Sequence, residues 1–408
     1  MTEGNSSESD GAKTKSKRPM SSTNAPFSCI RIVKDLSKEA KENNFVYSPC
    51  SIQLAMSLVA NGSNGSTLSE LLTFLEAKDL NHLNSVAEDL VNTLTESSEE
   101  GQQILTFVGG VWIDESLHLN PTFKSIAESI YKGQAEAVDF ENKAAEVVNE
   151  LNRWAEGATN GLIKSVLPQG SLDETSRLVL ANALYFKGKW TEEFLKRNEL
   201  RTFYLLNGNS VKVPFMTNTK NQYIEIFDDF KVLRLPYKRN SDEKAVLSMY
   251  VILPDKRDGL QPLLEKVGDD PLFLEKHVYP GTRAAIMRDF LVSKFEITHE
   301  IEASNILQNI GLKLPFSDRA EFAEMLQKSQ HAIRLQVSTV HHKSRIEVNE
   351  IGTEAAACTL ATMRKCCAVV KMPFHVDFVA DHPFLFIIRD DISGMVLFMG
   401  NVVNPLLK

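Results

Sequence analysis

The amino-acid sequence predicts an α+β protein, because helical patterns dominate its first third and paired strands dominate the rest. The chain has 408 residues, and a hydrophobic fraction of 43% is enough for a large buried core. This length allows two or three domains. From about Pro26 onward, however, the pattern stays globular without a low-complexity linker. We therefore expect one continuous domain over residues 26–408, preceded by a disordered polar tail over residues 1–25.

The first helical signals lie in SPCSIQLAMSLVANG. Ser48 is suited to cap a helix whose first residue is Pro49, and apolar residues recur at helical spacing up to Gly62. A second helix follows at once, since Thr67 and Glu70 have the spacing of a capping box. Its expected buried stripe consists of four leucines, Leu68, Leu71, Leu72 and Leu75.

Strand signals follow in the second half of the chain. TFYLLNGNSVKVPFM predicts a hairpin around Asn207 and Gly208, and SMYVILP predicts a buried strand. FLFIIRDDISGMVLFMG predicts two strands joined by a turn that ends at Ser393 and Gly394. Helices first and strands after are typical of the α+β class rather than of alternating βαβ units.

The charge balance narrows the choice of partners. The chain carries 45 Lys and Arg against 53 Asp and Glu, a formal net charge of −8. Nucleic acid and anionic membranes are bound through clustered Lys and Arg, so neither is an expected partner. No apolar stretch approaches the roughly 20 residues that a bilayer span requires. We expect a soluble protein.

The N-terminal tail and the cysteines indicate where in the cell the protein is expected. The first 25 residues lack the apolar segment of a secretory signal, and the five cysteines form no even disulfide framework. Both observations favour the cytoplasm. The basic run KTKSKRP, Lys13 to Pro19, has the composition of a nuclear address. A solvated tail is the alternative, so the nucleus stays a second possible location.

A search for catalytic motifs yields little. There is no GxGxxG, Walker loop or GxSxG elbow. His341 and His342 are adjacent, so in a strand they point to opposite faces and cannot chelate one metal together. We therefore expect no cofactor, no metal and no enzymatic activity. A cysteine hydrolase built on Cys366 and Cys367 with a distant histidine is the weakest alternative.

The most unusual segment runs from Arg345 to Met372. It opens as a half-buried strand, in which Ile346 and Val348 alternate with polar residues, and continues into small residues. Continued strand geometry gives one face that carries no charge, made of Thr353, Ala355, Ala357, Thr359, Ala361 and Met363. The opposite face begins at Glu354. Alanine is a poor strand former, so the segment is able to occupy two states, while an Ala-rich helix or loop is the alternative.

Several motifs in order then resemble the serpin family, and its plant branch in particular. They are NFVYSPCSI, LANALYFKGKW, GLKLPFSDRAEF, VNEIGTEAAA and DFVADHPFLFIIRDDISGMVLFMGNVVNP, spread from about Pro26 to Lys408. The resemblance implies a serpin fold with three β-sheets and about eight or nine helices. It also implies an exposed reactive-centre loop over about residues 352–375.

The resemblance implies that the protein inhibits proteases as a suicide substrate. A target protease attacks the loop and forms an acyl-enzyme, and the cut loop inserts into the main sheet of a metastable fold and traps the enzyme. The hinge of that movement corresponds to Glu350, Gly352, Thr353, Glu354, Ala355, Ala356 and Ala357. Its small, uncharged inward residues favour an inhibitor. The alternative is a non-inhibitory serpin that acts as a binding or storage protein.

Other family positions follow from the same motifs. The shutter, where the sheet opens, corresponds to a buried hydrogen-bonded cluster of Ser48, Ser51, Asn182 and His342, and the breach, where the loop enters, corresponds to Trp190. Glu350 has Lys294 as its candidate partner. Because Ser293 stands where the family usually has proline, the pairing stays open at this point.

Family spacing, about 16 residues after Glu350, puts the scissile bond between Cys366 and Cys367. A register change by one residue would put it between Lys365 and Cys366. With Lys365 leading, the targets are trypsin-like serine proteases or basic-specific plant cysteine proteases. With Cys366 leading, the target is a protease that accepts a small polarizable residue. Oxidation of the adjacent thiols to a disulfide is a further hypothesis, with two unpaired thiols as its alternative.

Overall fold

The computed structural model describes residues 25–39, 41–95, 103–195, 199–239, 245–281, 284–330, 333–353 and 375–408. The predicted tail up to residue 24 and the loop from residue 354 to residue 374 lie outside these ranges. Within them, no helix is both long and apolar enough to cross a membrane.

The described residues form nine α-helices, two short 3-10 helices and sixteen strands. The helices are α1 Phe27–Glu39, α2 Pro49–Asn61, α3 Gly65–Phe74, α4 Leu80–Thr95, α5 Pro121–Ser129, α6 Phe140–Ala158, α7 Leu260–Asp269, α8 Phe273–His277 and α9 Ser304–Asn309. The first eight strands are β1 Phe45–Tyr47, β2 Gln103–Asp114, β3 Gln134–Val138, β4 Leu178–Lys189, β5 Leu200–Tyr204, β6 Ser210–Met216, β7 Gln222–Ile226 and β8 Phe230–Pro236. The others are β9 Leu247–Pro254, β10 Ala284–Ser293, β11 Phe295–Glu302, β12 Thr339–Val348, β13 Gly352–Thr353, β14 His375–Ala380, β15 Phe384–Asp390 and β16 Val396–Val402.

The strands form two hydrogen-bonded networks. The six-stranded sheet has the order β11-β12-β4-β2-β3, with β13 paired to β4. The ten-stranded network has the order β1-β16-β15-β9-β8-β7-β10-β6-β5, with β14 paired to β10. In this network β10 pairs at its start with β7 and at its end with β6, so one strand joins two sheets. These two sheets and the six-stranded sheet give the α+β class predicted from the sequence, with the three sheets that the family resemblance implies.

The main core lies between the six-stranded sheet and the ten-stranded network. Helix α2 is almost entirely buried in it, because its apolar residues are not restricted to one stripe. A second, smaller apolar cluster lies on the opposite face of the six-stranded sheet, beneath α6. The six-stranded sheet is therefore covered on both faces, and an added strand would have to fit between two packed layers.

The structure agrees with the predicted start and end of α2 and corrects the next helix. Ser48 caps α2, with its hydroxyl accepting the N–H of Ser51. The capping box at Thr67 and Glu70 is wrong, because α3 begins at Gly65 and both residues lie inside it. The Thr67 hydroxyl accepts the N–H of Glu321 at 3.0 Å.

Thr67 and Glu70, which the capping-box pattern would have paired within the helix, therefore bind residues far away in the sequence. Glu70 accepts the N–H of Leu314 at 3.0 Å, and the Glu321 carboxylate accepts from the first turn of α3. The predicted leucine stripe is also only partly buried. Leu71 and Leu75 are buried, whereas Leu68 and Leu72 are half-buried.

Candidate functional site: the junction between β4 and β12

The centre of the six-stranded sheet is the junction between β4 and β12, which run parallel. Backbone pairing extends from Thr339 opposite Val179 to Arg345 opposite Tyr185. Beyond Arg345 the two strands are no longer paired to each other, and β13 pairs antiparallel with β4 instead. Because β2 already occupies the other edge of β4 at Gly188, β13 lies on the β12 side. The first residues of the predicted hinge therefore stand at the open end of the junction.

The chain reaches this position through a tight reversal after β12. The Asn349 N–H donates to the Gly352 carbonyl at 2.9 Å, and Gly352 has a φ of 154°. A Cβ atom at Gly352 would lie 2.0 Å from the carbonyl oxygen of Gly188. Only glycine fits here, because both the backbone conformation and the close approach to β4 exclude a side chain.

The reversal is held from one side by the segment that follows β4. The Trp190 N–H donates to the Ile351 carbonyl at 2.9 Å, and the Phe194 N–H donates to the Glu350 carbonyl at 2.8 Å. The indole Nε1 of Trp190 donates to the Asn349 carbonyl at 2.9 Å. Three successive carbonyls are thus satisfied by one segment. The Trp190 ring stacks on Tyr237 with 4.5 Å between centroids.

Glu350 forms an ion pair with Lys294 at the same place. Their side chains are 14% and 22% exposed, so the pair is largely shielded from solvent. Ser293, the residue that left this pairing open, is buried in β10 with a hydroxyl that has no partner among the described residues. Serine therefore replaces proline without displacing Lys294 from Glu350.

A buried polar cluster crosses the paired part of the junction. The His342 Nε2 accepts the backbone N–H of Ser48 at 3.0 Å, so its Nδ1 carries the proton and donates to the Asn182 Oδ1 at 2.8 Å. The Asn182 side chain in turn donates to the Ser51 carbonyl at 2.8 Å. Asn182 lies on β4 and His342 lies opposite on β12. The cluster therefore connects both strands to the start of α2.

Two details of this cluster differ from the sequence-based expectation. Ser51 takes part through its backbone carbonyl, while its hydroxyl is buried without a partner among the described residues. Ser344, which the sequence did not single out, places its hydroxyl 2.9 Å from the His342 Nε2. Their spacing of two residues in a strand puts both side chains on one face, which is the signal that could have revealed it.

Burial, with His299 as a smaller cause, lowers the pKa of His342 to about 3. The imidazole is therefore neutral near pH 7, as its acceptance of the Ser48 N–H requires. His341 points to the other face and contacts the Thr339 hydroxyl at 3.0 Å. Burial lowers its pKa as well. In the part of the chain that the structure describes, no group of three or more His, Cys, Asp or Glu side chains could hold a metal ion.

The predicted hinge is described only in its first part, and the predicted reactive bond is not described. Gly352 and Thr353 form β13, so the hinge is described up to its third predicted residue. Glu354, Ala355, Ala356, Ala357, Lys365, Cys366 and Cys367 lie outside the described residues. The scissile bond, the thiol hypothesis and most of the hinge therefore stay predictions.

Comparisons with known proteins agree with this arrangement. Residues 23–405 match a family model described as serpin (serine protease inhibitor). Wheat (Triticum aestivum) Serpin-Z1C is 46% identical over 383 residues, covering 93% of this chain and 95% of that protein. Rice (Oryza sativa subsp. japonica) Serpin-ZXA is 47% identical over 367 residues, covering 89% and 91%.

A solved structure of Arabidopsis AtSerpin1 in its native stressed conformation superimposes with a TM-score of 0.84. It is 40% identical, and the match covers 95% of this chain and 100% of that one. The chain belongs to the serpin family. Members of this family are mostly protease inhibitors rather than catalysts, and the fold and the plant relatives support a protease-inhibitor serpin.

Proposed function

We propose that this serpin traps serine endopeptidases, and cysteine endopeptidases as a second class, as a suicide substrate. The protease hydroxyl or thiol adds to the carbonyl carbon of Cys366, the Cys366–Cys367 peptide bond breaks, and the proton goes to the departing amine of Cys367. The Cys366 carbonyl then remains joined to the protease as an ester or a thioester. Cleavage between Lys365 and Cys366 is the alternative register. In that register Lys365 precedes the bond, and trypsin-like serine proteases or basic-specific, papain-like cysteine proteases are the expected partners. With Cys366 before the bond, the expected partner is a protease that accepts a small polarizable residue.

The observation that supports this proposal most strongly is the position of β13. Its register pairs Gly352 with Lys189 and Thr353 with Gly188, antiparallel to β4. A strand continued from β13 would extend along β4 residue by residue, and it would separate β4 from β12. It would put Ala355 opposite Phe186 and Ala357 opposite Leu184, two residues of the main core. Directly opposite residues share a face, so the alanines would enter that core.

The same register explains why the inward face of the hinge has to be uncharged. A carboxylate at position 355 would be buried against Phe186 without a partner, which costs several kcal/mol. Glu354 would lie on the opposite face, across from Lys187. Its charge is therefore compatible with insertion, while a charge one residue later is not.

Insertion requires the cluster around His342 to come apart. Thr359 would stand opposite Asn182 in the continued register, between Asn182 and His342, whose side chains are joined by a 2.8 Å hydrogen bond. The paired strands and this bond keep the junction closed before cleavage. A metastable fold with a closed junction and a loop starting at its open end is what the trapping mechanism needs.

The test is the gain in heat resistance after the loop is cut. Native and loop-cleaved protein are compared by thermal unfolding, and we expect a large rise in midpoint on cleavage. Ala355→Asp is expected to abolish the rise, whereas Glu354→Asp, a control that retains a carboxylate on the other face opposite Lys187, keeps it. No rise in the unaltered protein would contradict insertion and favour the non-inhibitory alternative, a binding or storage serpin.

A further inference from the structure

A cleft of about 400 Å³ lies next to the reversal, outside the β4–β12 junction. It is enclosed by the segment that follows β4, by the connection from β6 to β7 with the start of β7, and by the end of β8. Sites for small molecules are typically clefts of roughly 300–1,000 Å³ with apolar walls and a few well-placed polar groups. The volume of this cleft lies within that range, so its walls decide which molecule it fits.

The interior of the cleft is apolar and rigidly packed. Trp190, Phe194 and Leu235 line it, and none of them is more than 5% exposed. The rings of Trp190 and Phe194 form an edge-to-face pair with 6.1 Å between centroids. The Phe194 ring also stacks on Phe290 at 5.6 Å. Such aromatic walls favour a flat, apolar group as the part of a ligand that enters the cleft.

Backbone hydrogen bonds hold the walls in place without a ligand. The Thr191 N–H donates to the Pro236 carbonyl at 2.9 Å, which fixes the segment after β4 to the end of β8. The Leu195 N–H donates to the Thr217 carbonyl at 2.7 Å, which fixes the same segment to the connection from β6 to β7. The cleft is therefore preformed, and binding requires little ordering of the chain.

One polar side chain of the cleft has a free acceptor. Gln222 of β7 lines the cleft and is 5% exposed. Its Nε2 donates to the Asn218 Oδ1 at 2.8 Å and to the Lys220 carbonyl at 3.2 Å, which fixes the orientation of the amide. Within the described residues, its Oε1 accepts no hydrogen bond. A largely buried acceptor without a partner is unfavourable, so this atom indicates a ligand that donates a hydrogen bond.

The rim of the cleft carries one charge of each sign. The Lys220 Nζ and the Glu192 Oε2 are 3.8 Å apart, and their side chains are 51% and 59% exposed. This separation exceeds the length of a hydrogen bond, so each group can still bind a ligand directly. The two charges cancel. The rim therefore matches a molecule that carries both an ammonium and a carboxylate better than an ion of a single sign.

We infer that this cleft is a binding site for an aromatic amino acid in its zwitterionic form. The ring packs against Trp190 and Phe194. The ammonium donates to the Gln222 Oε1 and faces Glu192, while the carboxylate accepts from Lys220. One small molecule thus matches the apolar interior, the free acceptor and both charges of the rim. This activity goes beyond protease inhibition and does not depend on it, because the ligand binds the intact protein.

The probe is L-phenylalanine, and its binding to the full chain is measured by isothermal titration calorimetry and by the rise in melting temperature. Two analogues separate the charged contacts, since 2-phenylethylamine lacks the carboxylate and 3-phenylpropionate lacks the ammonium. We expect each analogue to bind about tenfold more weakly than L-phenylalanine, the effect of losing one hydrogen bond to a charged group.

Two variants of the rim locate the site. Lys220→Gln is expected to weaken the binding of L-phenylalanine about three- to tenfold without weakening that of 2-phenylethylamine, which has no carboxylate to lose. Glu192→Gln is expected to weaken 2-phenylethylamine without weakening 3-phenylpropionate. Lys266→Gln is the matched control, because Lys266 forms an ion pair of similar exposure with Asp229 away from the cleft. It leaves all three affinities unchanged.

Three results would overturn the inference. The first is that L-phenylalanine produces neither heat of binding nor a rise in melting temperature, which would mean that the cleft holds only water. The second is that both analogues bind as tightly as L-phenylalanine, which would mean that the charges of the rim are not used. The third is that Lys220→Gln binds all three compounds as Lys266→Gln does, which would place the site elsewhere on the protein.

Discussion

Lowering the pH is expected to weaken the junction through His342. Burial gives this imidazole a pKa of about 3, against 6.5 for the ordinary group. The native state therefore binds fewer protons than the unfolded state between these values. Stability rises with pH across that window and is complete above about pH 6.5. At pH 5, the loss is 1.5 pH units at 1.36 kcal/mol each, or about 2 kcal/mol.

The assay compares urea unfolding of the unaltered protein and His342→Gln between pH 5 and pH 7.5. Other buried histidines also have lowered pKa values, His299 and His341 among them, but they are present in both proteins. The difference between the two pH profiles therefore isolates His342. We expect His342→Gln to be less sensitive to acid by about 2 kcal/mol at pH 5. Parallel profiles would refute the assignment of a neutral, buried imidazole at this position.

Three further substitutions test the reversal that carries the hinge. Glu350→Gln leaves the partly shielded Lys294 without its partner, so it is expected to destabilise the native protein by about 1–3 kcal/mol in thermal unfolding. The double variant Lys294→Met/Glu350→Gln is expected to recover part of this loss. Gly352→Ala detaches β13 from β4, because a Cβ would lie 2.0 Å from the Gly188 carbonyl, and amide exchange at Thr353 is expected to accelerate. Trp190→Phe removes the indole donor to the Asn349 carbonyl and costs about 1 kcal/mol.

Each of these expectations has its own control or contrary result. Gly157→Ala is the matched control for Gly352, because nothing lies within 4 Å of a Cβ there and its backbone is helical. It should leave β13 unchanged. Equal exchange at Thr353 in Gly352→Ala would mean that the close approach to β4 is unimportant. No recovery in the double variant would argue against the ion pair, and an unchanged melting point for Trp190→Phe would argue against the indole hydrogen bond.

Local patterns predicted those parts of the fold whose partners are near in sequence. Ser48 and Pro49 begin α2 because the cap acts on a neighbour three residues away. The hairpin around Gly208 forms for the same reason. The capping box failed at Thr67 because its hydroxyl binds the N–H of Glu321, 254 residues away. A pattern confined to four residues carries no information about such a partner.

The same limit applies to the site. The polar cluster at Asn182 and His342 was expected from the family resemblance, since no local pattern relates residues 160 positions apart. The contacts of β12 with the connection between α6 and β4 were not expected at all. Lys343 and Arg345 look like the solvated face of a half-buried strand, and only the folded chain shows that Ser165 and Leu162 lie above them.

The most direct test of the account mixes the purified protein with trypsin and, separately, with a papain-like protease. Complexes are then sought on denaturing gels without thiol, because a thioester is labile to reductant, and the released C-terminal peptide is weighed. We expect a covalent complex with at least one protease and a peptide that begins at Cys367, or at Cys366 in the alternative register. Cleavage of the loop by both proteases with no complex would contradict the claim that this serpin is a suicide-substrate inhibitor.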